Sequence, residues 1–298
     1  MRKLIAFLLF ICLLSGCALA ETRRVYRAGE KEPFAADAET FDLYVCPLLG
    51  ADCMVLMCGG KTMLVDMGKA NDYDTIRGVL NDLGISRIDI AFNSHPHTDH
   101  LGSMIQILRD YPVGRFITAF AADYTAEDVI QRSTMKALAE AGVPVFTVDD
   151  GDCFSLGDAK FTVIRQTRYM YTEPNPNPFS AMLMMEYGDC RLLFCADVVQ
   201  DAQLYIAQTH DLRTDIFKYP HHGLNKLYRE MLDNMQAEYC FFCHGYMDTQ
   251  EAQRQMDQYG IAYDFATWGV IHLSTDGNYW LVDQTLNEMG ERCVKKYR

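Results

Sequence analysis

The sequence predicts an α/β fold in a single domain of about 250 residues, a size one chain still organises as one unit. Three observations lead there. Short apolar runs of strand length alternate with stretches of helical periodicity, and the alternation continues through both halves of the chain. No strong linker divides the body, and neither a repeat of solenoid period nor a long low-complexity stretch appears. Hydrophobic residues fill 49% of the 298 positions and charged residues 22%, enough apolar material for a full core.

The first twenty residues stand apart. MRK supplies a positive start, LIAFLLFICLL an apolar run too short for a comfortable membrane span, and small residues follow, the pattern of an export signal over 1–20. Two exits compete. Leu14-Ser15-Gly16-Cys17 reads as a bacterial lipobox, which would leave a lipidated Cys17 and a surface anchor. Ala18-Leu19-Ala20 reads as an ordinary signal-peptidase site before Glu21, which would release the chain. A retained N-terminal anchor is the third reading, and all three place the body outside the cytoplasm. Polar residues over 21–40 read as a linker, and the domain as 41–298.

Within the domain, 41–48, 51–58 and 61–68 are strand-like, with Gly59-Gly60 turning between the second and third. Ile76, Val79, Leu80 and Leu83 have helical spacing and the run closes at Gly84. A strand over 87–94, a helix over 101–111, a strand over 114–120, a helix over 126–142 and the run 144–150 follow. The second half continues the alternation, with strands over 160–167, 179–188 and 190–197, a helix over 201–209, a strand over 214–220, a helix over 227–235, a strand over 238–245 and a helix over 249–260. A hairpin over 270–282, with Asp276-Gly277 at its turn, closes the chain.

Charge narrows the partners. The net charge of −13 and pI near 5.0, with Lys and Arg scattered apart from Arg23, Arg24, Arg27 and the Lys295, Lys296, Arg298 tail, advertise no extended nucleic-acid groove. A metal can still hold one phosphate, so a small-molecule or phosphodiester substrate stays open. The only membrane contact expected is through a lipid anchor. Beyond residue 20, nine cysteines remain of eleven, an odd number; several sit in apolar runs. They read as core thiols with one or two bridges.

Chemistry concentrates at SHPHTDHLG. Three of eight histidines, His95, His97 and His100, fall within six positions, with Asp99 among them. Past the end of a strand, His95 and His97 point the same way, while Asp99 and His100 open the next helix. That projects four ligands into one small volume, two for one metal and two for a neighbour. Imidazole nitrogen with carboxylate oxygen suits zinc, with manganese or iron as alternatives.

HPHTDH resembles the signature of the metallo-β-lactamase superfamily, and other pieces fall in the family's order. The resemblance implies a four-layered αββα sandwich with two metal ions at the strand ends. It implies that Asp66, in LVDMG, supports the ligands from behind and that Asp197, closing LLFCAD, bridges the metals. KYPHHGL resembles the HHG element of the ComEC-like (competence protein) branch. His221, directly after its strand, is expected to bind the second metal with Asp99, His100 and Asp197. His222 is then left to meet substrate or donate a proton. The chain departs from the pattern in having no histidine between His100 and His210. In that place stands NPNPFSAML, where Asn177 and Ser180 either hold a water or substrate oxygen or belong to a proline-stiffened loop. His244 is either a third ligand, a substrate contact or structural. C-x-x-C-H at 240–244 has the form of a haem-attachment motif, but its two central phenylalanines argue for burial in a sheet. His210 reads as a surface residue at a helix end and His272, on the terminal hairpin, as structural.

The function expected is an exported hydrolase using a metal-activated hydroxide, with Asp99 orienting it, most directly on a phosphodiester. Residue chemistry alone leaves lactam, lactone and thioester substrates open. A catalytically degenerate metal-binding surface module is the reading from a different class. A di-iron oxidoreductase of the same fold usually carries glutamate where His97 stands, and no G-x-S-x-G motif suggests a serine nucleophile.

Overall fold

The structure is a computed structural model and describes residues 23–121, 124, 128–168, 174–199 and 201–297. The export-signal and lipobox readings lie outside the described residues. Sixteen strands are described, in two sheets. The first takes β1 (Val25–Arg27), β2 (Phe41–Val45), β3 (Met54–Cys58), β4 (Lys61–Val65), β5 (Ile90–Asn93), β6 (Phe116–Thr118), β7 (Val145–Thr147), β15 (Gly269–Thr275) and β16 (Trp280–Leu286). Its spatial order is β1-β16-β15-β2-β3-β4-β5-β6-β7. The second takes β8 (Cys153–Leu156), β9 (Ala159–Ile164), β10 (Met182–Tyr187), β11 (Cys190–Phe194), β12 (Ile216–Lys218), β13 (Tyr239–Phe242) and β14 (Ala262–Phe265), side by side in chain order.

Alternation along the strands builds the layers. Phe41, Leu43, Leu56, Met63 and Phe92 from the first sheet meet Phe161, Leu183, Leu192 and Phe241 from the second in one fully buried core. Phe41 and Phe161 touch across it, ring centroids 6.5 Å apart. The residues between them face outward. Val55, Leu64 and Ala91 pack under α1 (Tyr73–Asp82), α2 (Thr98–Leu101), α3 (Met104–Asp110) and α4 (Asp128–Glu140), through Ile76, Leu80, Met104, Ile107 and Leu138. Met184, Leu193, Phe217 and Cys240 pack under α5 (Asp201–Thr209), α6 (Arg229–Met235) and α7 (Gln250–Tyr259), through Ile206, Met231, Leu232 and Met256. Three cores between four layers are the αββα sandwich. Each buried large apolar side chain contributes roughly 1.5–3 kcal/mol.

Several sequence expectations are corrected. Residues 25–27, inside the stretch read as a linker, form β1, which adds parallel to β16 in the register Val25↔Trp280. Nine described cysteines are all free, so the expected one or two bridges do not form among the described residues. Cys240 and Cys243 are fully buried in and just past β13, which removes the haem reading. No helix among the described residues is long and apolar enough to cross a membrane.

What matters for function is strand direction. β4, β5, β6 and β7 are parallel neighbours in one sheet, and β11, β12, β13 and β14 in the other. The segments that follow β4, β5, β11 and β12 converge.

Candidate metal centre

Asp66 follows β4, Ser94 to His100 follow β5, Asp197 follows β11, and His221 and His222 follow β12 through a turn at Pro220–Gly223. Asp52 comes from the loop before β3. Five non-glycine residues among those described have positive φ; Asp66 (58°), Ala196 (45°), His221 (49°) and His222 (55°) are four of them, and all lie here. Left-handed backbone costs about 1–3 kcal/mol per residue and persists where the surroundings enforce it, typically at functional sites. Gly102 serves the same convergence, because a Cβ there would overlap the Thr98 carbonyl and the backbone of Lys69 and Ala70.

One atom is the hub. Asp197 Oδ2 lies 3.3 Å from His100 Nε2, 3.5 Å from His222 Nε2, 3.9 Å from His95 Nε2 and 4.0 Å from His221 Nε2. Ligand atoms of Asp52, His100, Asp197 and His222 fall within 4.8 Å of one another, as do those of His95, His97 and Asp197. His95 Nε2 and His97 Nδ1 are 3.0 Å apart. Asp197 thus belongs to both groups. Asp99 Oδ2 reaches His222 Nε2 at 3.2 Å from the more open side.

Carboxylates behind the rings fix their orientation. Asp66 Oδ2 accepts from His100 Nδ1 at 2.8 Å and from the Ser94 hydroxyl at 2.7 Å. Asp52 Oδ1 accepts from His222 Nδ1 at 3.0 Å. Each anchored ring therefore turns Nε2 toward Asp197, the arrangement by which a ligating histidine is held in one tautomer. Burial opposes a charged ring at His100, but the carboxylates of Asp197 and Asp66 outweigh it and hold its pKa well above the ordinary value. At His222 burial is again outweighed, by Asp197 and Asp52, and the pKa is raised. His95 goes the other way: burial, then the His100 charge, hold it well below. Burial disfavours charge at Asp197 and Asp99 too, yet His222, His100 and Lys218 hold Asp197 well below the carboxylate range, and the His222 hydrogen bond and the His100 charge lower Asp99.

The residues fit a divalent cation. His100 Nε2 is buried with no well-aligned hydrogen bond and faces Asp197 Oδ2 at 3.3 Å, so two ligand atoms point into one space. Imidazole and carboxylate donors suit zinc, iron or manganese. The match to a family model supplies the rest: residues 47–244, more than half of the chain, match the metallo-β-lactamase superfamily. The chain belongs to this superfamily.

Among solved structures, the metallo-β-lactamase fold protein YhfI from Bacillus subtilis is 12% identical, with a TM-score of 0.53 over 76% of this chain and 96% of that one. A diphosphatase of the PhnP family is 15% identical, with a TM-score of 0.50 over 79% and 97%. At these identities the likeness is one of fold. No curated protein matches the chain.

The superfamily site gathers most of the residues read from the sequence. His95, His97, Asp99, His100 and Asp197 come together, with Asp66 behind them. The two histidines of the HHG element exchange places relative to expectation. His222 is 2% exposed and inside the group with Asp197, whereas the His221 side chain is 28% exposed, with Nδ1 on Asn225 Oδ1. The left-handed turn at both residues reverses the chain, so following the strand directly sends His221 to the rim and not inward. Asn177 and Ser180 are buried, and their Oδ1 and Oγ have no hydrogen-bond partner. Ala181 N bonds Ser94 O at 3.0 Å, which lays this segment beside the cluster. His244 joins neither group; its ring lies against Gly50, and its Nδ1 accepts from Gly245 N at 2.8 Å. His210 and His272 hold Asp150 and Asp42, as structural histidines do. Sequence reasoning missed Asp52 and Lys218. The signal was there: an aspartate and a lysine inside apolar runs, where such residues are rarely buried unless paired.

Proposed function

We propose that this superfamily member is a hydrolase that holds two divalent cations, zinc in our reading, and cleaves a phosphodiester outside the cytoplasm. The observation that carries the reading is Asp197 Oδ2, shared between the His95–His97 pair and the His100–His222 pair. His95, His97, Asp99, His100, Asp197 and His222 would hold the cations, which when bound supply Lewis acidity and a water of lowered pKa.

The protein's own groups supply the rest. Asp99, kept ionised and a quarter exposed, accepts a hydrogen from an attacking water and aligns it. His222 has its Nδ1 proton committed to Asp52 and takes no part in proton transfer. His221 has Nε2 4.0 Å from Asp197 on the exposed rim, which supports a role at the leaving oxygen. Ser180, with its hydroxyl unengaged, donates to a substrate oxygen, and Asn177 beside it accepts a substrate or water hydrogen.

The HHG element resembles the ComEC-like branch, and that resemblance motivates the phosphodiester; a diphosphatase on the same fold is in keeping with phosphoester chemistry. Export, by lipobox or by release, is the reading of residues 1–20. The test is a substrate panel with the metal-loaded chain: an activated phosphodiester, a lactone, a lactam and a thioester, with His97→Ala alongside. Phosphodiester cleavage lost in His97→Ala is expected. Lactone, lactam or thioester opening without phosphodiester cleavage overturns the substrate, and no turnover of any kind by a loaded chain favours a binding module.

A further inference from the structure

Beside the hub lies a buried ion pair between Asp52, one of the clustered carboxylates, and Lys218, whose ammonium is not a metal ligand. Asp52 and Lys218 are both 0% exposed. Lys218 ends β12 on the face of Ile216, which looks into the space between the sheets, and Asp52 reaches it from the loop before β3. An aspartate and a lysine in that position cost several kcal/mol each to desolvate unless fully partnered. Here charge and hydrogen bonds both contribute, although Asp52 Oδ2 meets Lys218 as an ion pair without a well-aligned hydrogen bond. Lys218 Nζ has three donors and three oxygens: the Ala196 carbonyl at 2.8 Å, Asp197 Oδ1 at 3.4 Å and Asp52 Oδ2 in close contact. Asp52 Oδ2 faces Lys218, and Oδ1 takes the His222 Nδ1 proton.

The contacts form a circuit, His222–Asp52–Lys218–Asp197, whose two ends both face the centre. Asp52 is tied in through its backbone as well, its N–H on Asp99 O at 3.1 Å and its carbonyl accepting from Gly68 N at 2.7 Å. Two consequences follow from the chemistry. Asp52 lies within ligand distance of the group, but both of its oxygens already face donors, Lys218 and His222. Lys218 occupies Asp197 Oδ1 and leaves Oδ2 to face the four histidines. With no donor left over, Lys218 has no proton to offer a substrate.

We propose that Asp52 and Lys218 are positioning residues that set the orientation of His222 and select the Asp197 oxygen presented to the cations, and so fix the affinity of the second cation. This rests on the two-cation reading above. Outer partners of metal-binding histidines are worth about 10–100-fold in affinity when removed.

The test uses the full mature chain and cobalt(II), titrated against a competing chelator, with the cobalt absorption spectrum recorded at saturation. Variants are Asp52→Asn, Lys218→Met and the double substitution, with melting of the metal-free proteins as a check on folding. The expected result is two cobalt ions at saturation in every folded variant, with unchanged affinity for one ion and 10–100-fold weaker affinity for the other. The visible bands of that ion shift, and the double variant is about as weak as either single, because the residues act as one circuit. A purely structural role would lower the melting temperature and leave the spectrum alone. The proposal is overturned if both affinities stay within threefold of wild type, or if saturation falls by one ion, which would make Asp52 a ligand. Should Asp52→Asn fail to fold, Lys218→Met alone decides by the same readout. A wild-type chain that binds fewer than two ions overturns the two-cation reading and this inference with it; two ions in wild type with unaltered variants overturn this inference alone.

Discussion

At the scale of residues, Asp197 organises the site through a division of labour between its oxygens. Oδ1 belongs to Lys218 and Oδ2 to the histidines. The different burial of His221 and His222 gives a direct contrast. His222→Ala should lose one bound cation, because it removes a buried ring anchored by Asp52 and aimed at Asp197. His221→Ala should keep both cations and lower kcat, about 10²–10⁴-fold if the ring transfers a proton. Metal content and kcat on the same preparations check this, and loss of a cation from His221→Ala would restore the order expected from the sequence.

Protonation supplies a second test at this scale. In the metal-free protein His100 and His222, packed among Asp52, Asp66, Asp99, Asp197, Lys218 and His95, have raised pKa values. Raised folded values mean that their stabilisation is complete below the unfolded histidine value of about 6.5 and is lost as pH rises through the folded values. His95, being lowered, is neutral in both states above that point. The chelator-treated chain should therefore melt at lower temperature as pH rises from about 6.5 to 8. With zinc added, the trend should reverse, since the cation needs unprotonated rings. A metal-free melting temperature that rises over that interval would contradict the ring environments.

At the scale of elements, the loop-and-helix connections do the positioning. Gly102 lets α2 sit on the chain leaving β4, so Gly102→Ala should destabilise by about 1–3 kcal/mol and weaken cation binding together. Unaltered melting and metal affinity would show that the contact gives way. Legibility in the sequence followed from the same physics. Buried strands such as β3, β4, β10 and β11 and amphipathic helices such as α1 and α7 announce themselves by composition and period. β8 (CFSL), an edge strand largely open to solvent, and β14 (AYDF), also at an edge, carry no such signal. β1 is three residues long and depends on β16 and on Glu238, which accepts from the backbone N–H of Arg24 and Val25. α8 (Glu288–Tyr297) is polar over most of its surface, and Gly290 lies against the Trp268 carbonyl, a tertiary contact. At the site, the dense HPHTDH segment was readable because it is local. The His221–His222 order was not, because it depends on two left-handed residues, and the Asp52–Lys218 pair joins positions 166 residues apart.

At the scale of the whole molecule, the two sheets are halves of one site. The first brings His95, His97, Asp99 and His100 on the segment after β5; the second brings Asp197 and His222 after β11 and β12. The core between the sheets sets the distance between those halves, which is why buried Phe41, Phe161 and Phe241 matter to chemistry at the strand ends. The net charge of −13 offers no basic groove, so the proposed phosphodiester substrate would have to be held locally by the cations.

The central claim is that one carboxylate, Asp197, serves two cation sites. Metal content of the purified chain, measured beside a folded Asp197→Ala variant after equal exposure to zinc, tests it most directly. The account predicts two ions per chain in the wild type and fewer than one in Asp197→Ala, because both groups lose their shared oxygen. Two ions retained in the variant, or a single ion in the wild type, would contradict it.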